Sequence, residues 1–150
     1  MNAMTVLQAY LGRLARALMT CRFDEYLACV RLPVLVETAQ AKLEVSTEGD
    51  LADGFDALCD MLHSRGVNEA RLVAHQAVFD GPDKVVGLYE SCYLGDGKPV
   101  VPHFFSRIWL DCRDGIWASA RFQNTTGEPR WPILLTRVDP GQCLSRAFKK

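Results

Sequence analysis

The sequence predicts an α+β fold, with helices packed on one face of a sheet, and three observations carry the prediction. Apolar residues recur at helical spacing through the first half of the chain. The period changes to the strand type in the second half, and strong turn dipeptides cut that half into four ribbons. Helices first and strands afterwards leave the sheet one apolar face to cover, and the helices are what can cover it.

The elements follow in chain order. Leu7, Leu11, Leu14 and Leu18 recur at i, i+4, i+7 and i+11, and "TVLQ" (Thr5 to Gln8) has the form of a capping box, which predicts a first helix opening near Thr5. "FDEYLACV" carries a short stripe of Phe23, Tyr26, Leu27 and Val30, and Pro33 ends it, so a second, shorter helix is expected. "VLVET" and "KLEV" predict a small hairpin. "STEGDLADGFDALCDMLHSRG" restores the helical period through Leu51, Phe55, Leu58 and Leu62 and stops at Gly66. "EARLVAHQAVF", "KVVGLYESCYL", "KPVVPHFFSRIWLDC" and "IWASARFQNTT" are rich in β-branched and aromatic residues and are separated by "DGPD", "GDG" and "RDG". They predict a four-stranded antiparallel meander. "GEPRWPILLTRV" is expected to add an edge strand and "SRAFKK" to fray.

Composition narrows the function classes. A chain of 150 residues is sized for one domain, taken here as residues 1–150, with an apolar core large enough to enclose a cavity. Acidic and basic residues number 18 and 17, for a formal charge of -1. No long-range field draws in nucleic acid or an anionic membrane. The six cysteines form no C-x-x-C pair and sit mostly in apolar segments, so they read as reduced and structural. The N-terminal segment has helical spacing where a leader would have a continuous apolar run, and a cytoplasmic protein is expected.

The register of "HFFSRIWLDCRDGIWASARFQNTT" (His103 to Thr126) decides which residues share a face. A two-residue loop at Asp114 and Gly115 would set Leu110 against Ser119 and Ile108 against Arg121, mixing the faces. A three-residue loop over Arg113, Asp114 and Gly115 makes one face almost wholly apolar, with Phe104, Ser106, Ile108, Leu110 and Phe122, and it predicts this pairing. The other face then carries Arg107, Trp109, Trp117 and Arg121, with Arg107 directly opposite Arg121. Such a pair needs an acidic or anionic partner.

This order of two helices, a hairpin, a third helix and a long meander, with patterns such as "RFDEYLACVRLPVLVET" and "SRIWLDCRDGIWASARF", resembles the nuclear transport factor 2-like superfamily over roughly residues 5 to 126. Its relatives include ketosteroid isomerases and SnoaL-like polyketide cyclases. The resemblance implies a cone: a curved sheet of four-strand meander plus N-terminal hairpin, wrapped around a pocket against three helices. It also implies a homodimer through the outer sheet face, placing Arg107, Trp109, Trp117 and Arg121 at the interface. Isomerase relatives place a tyrosine on the first helix, an acidic base near the first strand and a carboxylic acid on the meander. The corresponding positions here are Leu14, Glu37 and Ser106 or Phe105, so only the base has a counterpart.

Two function classes follow. One is a SnoaL-like pocket protein that binds a small apolar molecule or performs acid–base chemistry on it, with Glu37 and His75 as the candidate catalytic residues. Tyr89, Ser106 and Asn124 are then the polar groups that orient a ligand in the pocket, and small residues such as Gly87, Ser91, Ala118 and Ala120 leave it space. The other class is a non-catalytic homodimeric accessory or interaction module whose own side chains fill the cone. No cofactor is expected: phosphate-cradling glycine loops and nucleophile motifs are absent. Three histidines without H-x-H or H-x-x-x-H spacing give no metal signal, and Asp50, Asp53, Asp56 and Asp60 read as a solvated helix face.

Overall fold

The computed structural model describes residues 2–38 and 42–124. Three helices, α1 (Ala3–Thr20), α2 (Phe23–Leu27) and α3 (Glu48–Ser64), pack on seven strands: β1 (Val30–Glu37), β2 (Lys42–Val45), β3 (Glu69–Phe79), β4 (Lys84–Gly95), β5 (Lys98–Pro99), β6 (Phe104–Arg113) and β7 (Ile116–Asn124). The strands form one curved, unclosed sheet in the order β2-β1-β7-β6-β4-β3, with β5 paired to β4. The expected meander is present as β3, β4, β6 and β7. The expected edge strand within 127–138 and the fraying end lie outside the described residues.

Helix α1 begins earlier than its capping-box pattern predicts. Asn2, in extended conformation, accepts the Thr5 N–H at 2.8 Å, which is the geometry of an N-cap. Gln8 is thereby released for another role: its side chain donates to Leu72 O at 3.0 Å and accepts from Ala74 N at 2.9 Å. These are backbone groups on β3, the edge strand of the sheet among the described residues, where a side chain takes the place of a further strand. Leu7, Leu11, Leu14 and Leu18 are all buried. Helix α2 ends at Leu27, with Cys29 N turning back to Tyr26 O at 2.9 Å, and the Cys29 carbonyl accepts from the Tyr10 hydroxyl at 2.8 Å and Ser119 N at 3.0 Å. Tyr26 stacks on Phe55 of α3, ring centres 4.5 Å apart.

Two pairings differ from expectation. Strand β1 runs parallel to β7, through Leu35 with Arg121, Val36 with Phe122 and Glu37 with Gln123, so the sheet is mixed. The β6–β7 turn is the two-residue form, with Asp114 and Gly115 at φ 53° and 78°, as a type I′ hairpin requires. Cys112 therefore pairs with Trp117 and Leu110 with Ser119. A bulge then adds one residue to β7, and beyond it Trp109 pairs with Arg121, Ile108 with Phe122, Arg107 with Gln123 and Ser106 with Asn124. Ser119 secures the bulge by accepting from Arg121 N at 3.0 Å and donating to Arg121 O at 2.9 Å. Phe104, Ser106, Ile108 and Leu110 are buried as expected, but Arg107 is not opposite Arg121. Trp117 moves off the Trp109 face, standing opposite Cys112 and packing against the core.

The small residue at Gly87 does not leave empty space. A Cβ there would lie 2.6 Å from Leu7 Cδ2 and 3.1 Å from Gln76 O, so α1 closes onto the sheet through that gap. Gly87→Ala is expected to cost about 1–3 kcal/mol by overpacking, read as a lower urea midpoint at unchanged slope; an unchanged midpoint would mean that α1 sits farther from β4.

Candidate functional site

The three residues expected to orient a ligand come together in one row across the sheet. Tyr89 on β4 pairs with Ser106 on β6, which pairs with Asn124 on β7, and directly paired residues share a face. Ser106, fully buried, donates to Asn124 Oδ1 at 2.7 Å. The Tyr89 hydroxyl lies in hydrogen-bonding contact with Ser106. The two ends of the row, Tyr89 and Asn124, line a cavity of about 70 Å³ together with Leu14, Tyr26, Val36, Ser91 and Tyr93 among others, while Ser106 lies beneath the lining. Its rim at Phe122 and Asn124 is half-buried. The described lining carries no carboxylate, imidazole or amine.

Burial sets the protonation of this lining. The Tyr89 phenol is pushed up to about 12 by desolvation, against which the bond to Ser106 pulls weakly downward. Burial also drives Tyr10, Tyr26 and Tyr93 above the ordinary phenol range. At neutral pH these groups are neutral hydrogen-bond donors.

Both candidate catalytic residues lie on the other side of the sheet. Val36 lines the cavity, so strand alternation sends Glu37 outward. Glu37 is nonetheless 5% exposed. It accepts Arg121 Nε at 2.8 Å, with Lys42 Nζ 3.8 Å from its second oxygen, and the Arg121 guanidinium lies 3.9 Å over the Trp109 ring. His75 sits at a β3 bulge between Ala74 and Gln76, and its Nε2 is 3.0 Å from Glu90 Oε1. His103 Nδ1 is 2.9 Å from Glu90 Oε2. These bonds hold the Glu90 carboxyl below its usual range.

The ligating atoms of Glu90, Cys92 and His103 lie within 4.8 Å of one another. Sequence spacing does not reveal this cluster because its members lie on two chain segments. The signal lies in the ladder itself: with Glu90 opposite Phe105 and Ser91 opposite Phe104, one more step of the same register would bring His103 to Cys92. Burial raises the Cys92 thiol. Tyr26 and Tyr93, which no sequence pattern marks for the pocket, also line the cavity, as does the small residue Ser91.

A curved sheet closed by three helices around a tyrosine-lined cavity defines an α+β cone. Its arrangement is the nuclear transport factor 2-like fold, as similarity to solved structures shows. A protein of unknown function from Mycobacterium tuberculosis is 16% identical with TM-score 0.60, over 95% of this chain and 86% of that one. A nuclear transport factor 2-like protein from Cytophaga hutchinsonii is 14% identical with TM-score 0.58, over 84% and 99%. A putative aromatic ring hydroxylase from Novosphingobium aromaticivorans is 11% identical with TM-score 0.55, over 81% and 86%. No protein-family model and no curated protein matches the sequence. Among the described residues, no helix is long and apolar enough to cross a membrane.

The four tyrosines give an alkaline signature. Their raised folded-state pKa values mean that the stability they contribute is complete below the unfolded value near 10 and is lost as pH rises through the folded values. Phenolate absorbance is therefore expected to stay near zero at pH 10 and to appear together with unfolding above it. A graded titration centred on 10 in a folded chain would contradict the burial. On the outer face, Arg121→Ala is expected to destabilise by about 1–3 kcal/mol, because it leaves the Glu37 carboxylate without its closest cation; Glu37→Gln in the same background should recover part of that loss in a denaturation double-mutant cycle.

Proposed function

We propose that the chain binds a compact, uncharged and mostly apolar molecule in the cone cavity, oriented by a hydrogen-bond acceptor on the ligand. The observation that carries this reading is the set of polar groups of Tyr89, Ser91 and Asn124, with Asn124 held from behind by Ser106, in a lining that is otherwise aliphatic and aromatic. Apolar walls with a few convergent polar groups are the usual make-up of a small-molecule site. A cavity of about 70 Å³ is about half the volume that encloses a benzene ring, so it takes the polar end of a ligand, with any ring or larger part emerging past Phe122 and Asn124. Binding is favoured over acid–base turnover because Glu37 and His75 are both absent from the lining, and phenols held this far above neutrality do not act as bases at pH 7.

The test is an NMR titration with phenol, cyclohexanone and cyclohexane. The two oxygen-bearing probes are expected to shift resonances of Tyr89, Ser91 and Asn124, and Tyr89→Phe to weaken their binding about 5- to 10-fold, the worth of one neutral hydrogen bond. Absence of any shift at these residues up to the solubility limit would overturn the reading.

A second reading, a non-catalytic homodimeric module, draws support from the outer sheet face. Val78 is 63% and Phe105 37% exposed there, on the same side as Trp109 through the Val78–Val86–Trp109 pairing. Exposed apolar groups around an indole and an arginine suit an interface. Sedimentation should give a dimer for the native chain and monomers for Phe105→Ser with Trp109→Ser; a monomeric native chain would remove this reading.

A further inference from the structure

We propose that Glu90, Cys92 and His103 form a binding site for a divalent transition-metal ion of the zinc class, with His75 as the residue that positions Glu90. The site is independent of the cavity. Tyr89 and Ser91 line the cavity, so strand alternation directs Glu90 and Cys92 to the opposite face of β4.

The donor set is the first argument. Carboxylate, thiolate and imidazole are the three protein ligand types of zinc, and a thiolate among them disfavours magnesium and calcium. One carboxylate and one thiolate neutralise a divalent charge, and the neutral imidazole adds none. Three protein ligands also leave a fourth tetrahedral position for water.

Geometry is the second argument. Cys92 and Glu90 stand two residues apart on one face of β4, and His103, one residue before β6, follows the last pair of the ladder, Ser91 with Phe104. All three ligating atoms already fall within 4.8 Å of one another. With metal–nitrogen and metal–oxygen bonds of about 2.0–2.2 Å, a tetrahedral ion holds those two ligand atoms about 3.3 Å apart. His103 Nδ1 and Glu90 Oε2 are 2.9 Å apart now, so that pair opens by a few tenths of an ångström, and Cys92 Sγ, within 4.8 Å of both, closes by at most about 1 Å to reach the tetrahedral spacing of about 3.6 Å. The imidazoles of His75 and His103, each about two-fifths exposed, leave a path from solvent.

The third argument is the support around the ligands. His75 Nε2 holds the other Glu90 oxygen at 3.0 Å, and the Phe105 ring lies against the His75 ring with centres 5.2 Å apart. An imidazole N–H on the distal oxygen of a ligating carboxylate is the kind of outer contact that fixes its orientation. Arg71, which pairs with Cys92 across β3 and β4, is the cation nearest by register, and its guanidinium is engaged by Glu69 at 2.9 Å. The buried Cys92 thiol carries its proton at neutral pH; metal binding releases that proton to solvent as the sulfur–metal bond forms.

Cobalt(II) titration of the full chain, followed by displacement with zinc(II), tests the proposal. Expected are a thiolate-to-cobalt charge-transfer band in the near ultraviolet and tetrahedral ligand-field bands in the visible, both bleached by zinc. Cys92→Ser should abolish the charge-transfer band, His103→Gln should weaken affinity at least 100-fold, and His75→Gln about 10-fold while leaving the band position unchanged. Far-ultraviolet circular dichroism confirms that each variant is folded, and Glu90→Gln replaces any that is not. The pair Cys21 and His63, 3.9 Å apart, supplies the control, and His63→Gln should change nothing. Absence of cobalt bands in the folded native chain, or bands that survive Cys92→Ser, would overturn the site.

Discussion

The division of this sheet into two chemically different faces depends on one extra residue in β7. A tight Asp114–Gly115 turn sets the β6–β7 register so that, continued without interruption, it would put Arg121 opposite the buried Ile108 and turn Phe122 outward. The bulge restores the alternation. Ser119 makes it affordable, because its hydroxyl takes both the N–H and the C=O of Arg121, groups that a bulge otherwise leaves unpaired. Everything on either face follows from that repair: Phe122 and Asn124 reach the cavity, and Arg121 reaches Trp109 and Glu37.

Strand β4 carries the same division through the middle of the sheet. Tyr89 and Ser91 belong to a desolvated lining in which each phenol is held neutral. Glu90 and Cys92 belong to a partly solvated outer cluster in which a carboxylate is held ionised by two imidazoles. Adjacent residues thus sit in opposite electrostatic regimes, separated only by the thickness of the sheet. Closure of the inner side is equally local, since Leu7 enters the gap over Gly87 and Gln8 binds the β3 backbone. One turn of α1 therefore both fills the cone and blunts its exposed edge.

Much of this was legible in the sequence, and the failures have physical causes. Helix stripes and turn dipeptides are local signals, and they located α1, α3 and the four long strands closely. Inward alternation placed Phe104, Ser106, Ile108 and Asn124 together because burial imposes a period of two. Loop length was misjudged because a clean apolar face was sought without a bulge, and that misplaced Trp117 and set two arginines opposite each other. The parallel β1–β7 contact joins segments more than eighty residues apart, which no local pattern encodes. The same holds for His103 and Cys92, whose proximity depends on pairing and not on spacing. Gln8 looked like a capping residue because its use on β3 is visible only in three dimensions.

The arginine on the outer face shows why register, more than composition, determines what a surface can do. Had Arg121 faced Arg107, the pair would have required an external anion, and the face would read as an anion site. Opposite Trp109, its guanidinium gains the ring face, and its Nε–H satisfies a glutamate that is nearly excluded from water. A buried carboxylate without such a donor is costly enough to favour neutralisation, so Glu37 and Arg121 stabilise each other within one chain. The charge that looked like a demand for a partner is met internally. What remains available for recognition is the set of neutral polar groups inside the cone, the apolar ridge of Val78 and Phe105 outside it, and the unlike ligands gathered at Glu90.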